Sequence, residues 1–97
     1  MNMMMSRHKI MIDNLMVALE ASRQGDVQMA EVLTDRVRDA SYSVTQRLAG
    51  YVLRSACGAI DAIGRAVDRE AGLVHAEHEI EKARQLLNRS DLQTSAA

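Results

Sequence analysis

The segment "HAEHE", His75 to Glu79, holds residue types from which metal sites are made. His75 and Glu79 stand four apart and His75 and His78 three apart, so on a helix they share a face that a divalent cation could meet. These side chains alone do not complete a site, because further ligands would have to come from another helix. A carboxylate-bridged metal pair in a bundle needs Glu-x-x-His on separate helices, and that spacing does not occur in this chain. Glu77, Glu81, Lys82 and Arg84 surround the histidines. The expectation is therefore a solvated helix face with no metal and no cofactor.

Cys57, the single cysteine, sits between Ala56 and Gly58 with no His or Lys within four residues. A reactive thiolate needs an activating neighbour, so Cys57 is expected as a small buried residue. One cysteine also excludes an internal disulfide framework and a multi-cysteine zinc site, and it fits a reducing, cytoplasmic setting. The chain contains no Gly-rich phosphate loop, nucleophile elbow or paired acids in an apolar setting. No catalytic residue is assigned, and the chain reads as a non-enzyme.

Arg47, Arg54, Arg65 and Arg69 form a possible basic face, interleaved with Asp61 and Asp68. Phosphate binding would need such a face, but an acidic neighbouring helix or an acidic partner suits it better. "ALEASRQGDVQMAEVL" invites a helix-turn-helix reading, yet Gln24 and Glu31 stand where that motif wants apolar residues. Asp26, Glu31, Asp35 and Asp39 against Arg36 and Arg38 leave its second helix acidic, where a recognition helix should attract phosphate.

These residues must be held by helices. The chain has 97 residues, 47% of them hydrophobic, with no proline, no Phe, no Trp and a net charge of −1. That is one domain, too apolar for disorder. No stretch of about 18 uncharged apolar residues exists to span a bilayer. The opening "MNMMMSRHKIMIDNLMVALE" carries charges inside its apolar region, unlike a secretory signal.

Helix punctuation is readable. Ser6 can cap a first helix bearing Met5, His8, Ile12, Leu15, Met16 and Leu19 on one side. Gly25 suits the left-handed position past its end, and Asp26 suits the next N-cap. Ala30, Leu33, Val37 and Ala40 line a second helix. Ser43 with Gln46 fits a capping box for a third helix from Val44. From there a heptad phase of polar residues runs Arg47, Arg54, Asp61, Asp68, His75, Lys82, Arg89. The opposite phase reads Val52, Ala59, Ala66, Leu73, Ile80, Leu87, with Leu53, Ile60, Val67 and Val74 widening it. "EAGL", Glu70 to Leu73, could divide this segment, or it is one kinked helix. Gly50, Gly58 and Gly64 serve as packing contacts or kinks. The expected fold is all-α: a small antiparallel bundle of three or four helices, an N-terminal hairpin followed by a long heptad-patterned segment. It forms a single domain over 1–97, with 1–5 and 90–97 frayed.

The hairpin "QGDVQMAEVLTDRVRDA" resembles one tetratricopeptide-type hairpin. Gly25-Asp26 match that family's inter-helix turn and Ala30 a small residue of its second helix. The likeness covers one repeat of about 34 residues. The family's aromatic positions are missing and no second copy follows, so the resemblance implies two antiparallel helices, not membership.

Without large aromatics, one copy is expected to bury only a modest core. The small-residue stripe Val52, Ala59, Ile63, Ala66, Leu73, Ile80, Leu87 is therefore read as a seam between copies, most simply a homodimer. The N-terminal methionines, Met1, Met3, Met4, Met5, Met11 and Met16, suit an adaptable binding surface, or Met3 to Met5 are alternative translation starts or a frayed end. Two functions fit: a self-associating helical module that binds another protein (an adaptor, chaperone or assembly component), or a small phage- or plasmid-type regulator binding nucleic acid through the arginine face of a dimer.

Overall fold

A computed structural model describes the backbone of residues 7–96 and the side-chain surroundings of residues 7–89. Ser6, Met5 and the other N-terminal methionines up to residue 5 lie outside the described residues. The fold is all-helical: α1 (Arg7–Arg23), α2 (Val27–Ser41), α3 (Arg47–Ala62), a single 3-10 turn (Ile63–Arg65) and α4 (Arg69–Ala96). There is no strand among the described residues. No described helix is long and apolar enough to cross a membrane.

The α1–α2 reversal follows from local chemistry. Gly25 has a φ of 84°, a conformation that costs a side-chain-bearing residue energy. The Asp26 N–H then reaches the Ala21 carbonyl at 2.8 Å and the Gly25 N–H reaches that of Ser22 at 3.1 Å. This pair of bonds closes the end of α1 as a Schellman motif. The Asp26 carboxylate accepts from the Met29 N–H at 3.1 Å and caps α2.

The second boundary differs from expectation. The Ser43 N–H bonds the Ala40 carbonyl at 3.0 Å, and Val44 bonds that of Ser41. Both residues thus finish α2 and do not open α3. The cap is Gln46, whose side chain accepts from the Ala49 N–H. The third boundary also moves. The chain leaves α3 through the 3-10 turn, Ala66 is extended, and Asp68 accepts from the Ala71 N–H at 3.2 Å to begin α4. The break therefore precedes "EAGL". It spans a length that keeps the heptad count in register on both sides, so counting by sevens does not reveal it.

α1 packs on α2 and α4, and α3 packs on α2 and α4. The core is Met11, Ile12, Leu15, Ala18 and Leu19 from α1, Ala30, Leu33 and Val37 from α2, and the inward sides of α3 and α4. His8 is half-buried and Met16 is exposed, so the apolar side of α1 is centred on Leu15 rather than on Met16. Ala40 is half-buried.

Because Gln46 and not Ser43 satisfies the first turn of α3, Gln46→Ala should cost about 0.5–2 kcal/mol, as loss of an N-cap does. Ser43→Ala should stay within about 0.5 kcal/mol of the parent. Urea unfolding of both variants checks the assignment.

Candidate functional site

The seam, metal-ligand and arginine candidates named from the sequence all lie among the described residues. Val52, Ala59, Ile63, Leu73, Ile80 and Leu87 are buried within a single chain. The stripe read as a seam between copies is thus the chain's own core. Leu73, Ile80 and Leu87 of α4 are covered by α1 and α3. Only Ala66 is exposed, because it lies in the break, where the helical phase does not hold. Val67 is exposed for the same reason, sitting in the linker, whereas Val74 lies within α4 and points outward.

The candidate metal ligands do not converge. His75 and His78 are exposed, while Glu79 turns inward and is 6% exposed. Among the described residues no three such side chains could hold a metal ion. The Ser55 hydroxyl donates to Glu79 Oε1 at 2.8 Å. Lys82 Nζ lies 2.6 Å from Oε2 as an ion pair, at an angle that makes no hydrogen bond. The Lys82 ammonium, with help from Ser55, holds the Glu79 carboxyl below the ordinary range although burial opposes this. Glu79 therefore joins α4 to α3 rather than sitting on a solvated face.

Cys57 is fully buried and its thiol donates to the Thr34 carbonyl at 3.4 Å. Burial pushes its pKa up to about 11, so the thiolate is scarce at neutral pH. Beside it, Asp61 accepts from Arg38 at 2.6 Å and from the Thr34 hydroxyl at 3.2 Å. The basic residue facing acid between α2 and α3 is thus Arg38 of α2, paired with Asp61 of α3.

The four arginines are divided. Arg69 donates to the Ser22 and Arg23 carbonyls at 2.5 and 2.7 Å. It caps the end of α1, whose last carbonyls need donors and favour a cation. Arg65 is exposed beside a cleft of about 690 Å³, floored by Ala30, Ile60 and Ile63. Glu31 and Asp61 line the same cleft, so its charge singles out no ligand class. Arg47 and Arg54 remain on α3. Arg54 lies 4.5 Å over the Tyr42 ring and donates to the Ser41 hydroxyl at 3.2 Å. Neither makes an ion pair among the described residues.

Around these two arginines lies a surface that counting the buried phase missed. Tyr42 is 72% exposed, Tyr51 65% and Leu48 55%. Tyr42 and Tyr51 are the chain's only aromatic residues, and aromatic side chains ordinarily supply core area. On α3, Leu48, Tyr51, Ser55, Gly58 and Ala62 recur at spacings of three and four, and none carries a charge. They form a second stripe, pointing outward, on a helix whose charges are only Arg47, Arg54 and Asp61. That scarcity of charge was the available signal, since a helix apolar nearly all round is normally covered on all sides.

No model of a known family, no curated protein and no solved structure matches the chain.

Two glycines on α3 mark the two faces. A Cβ at Gly50 would stand 3.0 Å from the Ser41 carbonyl oxygen and 3.4 Å from Arg54 Nη1. Gly50 is therefore a packing contact that also seats Arg54. A Cβ at Gly58 would meet nothing within 4 Å. Gly58 therefore costs helix stability with no return inside this chain. Gly58→Ala should stabilise by about 0.5–1 kcal/mol. Gly50→Ala should destabilise by a net amount on the order of 1 kcal/mol, as overpacking outweighs helix propensity. Thermal unfolding of the pair reads both signs.

Proposed function

We propose that this protein is a helical interaction module, without catalytic activity, that binds another protein through the outer face of α3. The observation that carries this reading is the placement of both aromatic residues, Tyr42 and Tyr51, in the open beside an uncharged stripe. Exposed tyrosine next to arginine is the composition of binding hot spots. An apolar centre with charge at its rim is the anatomy of a protein interface. The scaffold behind it is read as an antiparallel four-helix bundle. Contacts between α1 and α4 run in reverse order, from Arg23 with Glu77 to Met16 with Arg84, which supports that arrangement.

The nucleic-acid reading keeps one supporting observation, the alternation of Arg47, Tyr51 and Arg54 near Tyr42, since bases stack on aromatic side chains. It is weakened by the loss of Arg69 to the α1 cap and by the overall charge of −1.

A photo-reactive side chain in place of Tyr51, in the cells that make the protein, tests the reading. It should yield discrete protein adducts, and the same group at Glu81 on α4 should yield none. Adducts with nucleic acid only, or no adducts from either position, would contradict it.

A further inference from the structure

We infer that the outer stripe of α3 seats an acidic, amphipathic helix of another protein. This inference rests on the protein-binding reading above and narrows its partner. The stripe Leu48, Tyr51, Ser55, Gly58, Ala62 has the spacing of a coiled-coil seam. It covers fourteen helical steps, about 21 Å, enough for roughly four turns of a partner helix. Its bulk tapers from Leu48 and Tyr51 to Gly58 and Ala62, so a partner could approach most closely near Gly58, where this chain has no atom within 4 Å of an added Cβ.

Charge selects the partner's sign. Arg47 and Arg54 flank one side of the stripe and form no ion pair among the described residues. On the other side Ser55 meets α4 at Glu79, with Lys82 against Glu79 and His75 one turn away. The one carboxylate of α3, Asp61, is held by Arg38 of α2, and Glu79 is buried. The Arg47/Arg54 flank thus presents cations without an exposed acid of α3 to answer them, while Lys82 on the other flank is already paired with Glu79. Carboxylates on the edge of an incoming helix that faces Arg47 and Arg54 would complement them, as charges beside a coiled-coil seam set partner choice. A second copy of this chain would bring like charges to like on the same face, which disfavours symmetric self-pairing here.

The probe is a synthetic helical peptide with a Leu/Ala stripe at three- and four-residue spacing and Glu on both flanks. Its twin carries Lys in place of Glu. With the chain labelled by nitrogen-15, the Glu peptide should shift the amide signals of Leu48, Tyr51, Gly58 and Ala62 and leave those of Val32 and Glu81 in place. The Lys twin should produce no shifts. Tyr51→Ala should weaken binding roughly tenfold or more, as loss of an aromatic anchor does. Gly58→Ala, which leaves the fold intact, should weaken it on the order of tenfold by blocking close approach. Raising salt from about 0.1 M to about 1 M shortens the screening length from about 10 Å to about 3 Å and should weaken it further.

Equal binding of both peptides, unchanged affinity of Gly58→Ala, or shifts produced by a DNA oligonucleotide and not by the Glu peptide would overturn the inference. If Tyr51 cross-links in cells to a protein whose contacting segment is not acidic, the inference fails while the protein-binding reading stands. If Tyr51 captures no protein at all, both fail.

Discussion

Everything in this fold depends on how closely its helices can approach one another. Ala18, Ala49, Ala56, Ala76 and Ala83 are all completely buried where helices meet. Side chains this small let helix axes close up. The gaps are filled by Leu15, Leu53, Ile60 and Leu87. With no large aromatic in the interior, small and medium side chains from all four helices make one continuous core, and a single chain encloses Val52, Ala59, Ile63, Leu73, Ile80 and Leu87. Close approach also sets limits: α2 and α3 come near enough that a Cβ at Gly50 would stand 3.0 Å from the Ser41 carbonyl oxygen. The same contact holds Arg54 over Tyr42, so interior packing fixes the shape of the outer surface.

Polar links between helices set which faces meet. Arg38 with Asp61 joins α2 to α3, and Ser55 with Glu79 joins α3 to α4. Arg23 with Glu77, and Arg69 with the last carbonyls of α1, join α1 to α4. Exposed pairs of this kind add little stability. Partly buried ones are better understood as fixing register, because a slipped helix would leave a carboxylate such as Glu79 without its partner. An all-aliphatic core discriminates poorly between alternative alignments, so these links matter more here than in a chain rich in Phe or Trp.

Much of this was legible in the chain itself. The helical class, the turn at Gly25-Asp26 and the buried residues Leu33, Val37, Leu53, Ile60, Leu73, Ile80 and Leu87 follow from periodicity and cap chemistry. The third cap was not, because Ser43 and Gln46 both offer acceptors and only the geometry of the α2 end shows that Ser43 is already committed. The meaning of the stripe from Val52 to Leu87 was not legible either. A heptad pattern says that a face is covered, but α4 of the same chain and a second copy satisfy it equally well. Ala66 and Val67 keep the phase by count although they lie in the break between α3 and α4. The outward stripe from Leu48 to Ala62 was marked only by the scarcity of charge on α3, because a heptad count follows one apolar phase at a time.

The central claim is that one chain completes its own core and leaves the outer face of α3 exposed. Sedimentation equilibrium at micromolar concentration, followed beside far-ultraviolet circular dichroism across a dilution series, tests it most directly. The account predicts a single species of 10.7 kDa whose helical signal does not change on dilution. A dimer whose dissociation melts the helices would contradict it, because the stripe from Val52 to Leu87 would then need a second copy to be buried.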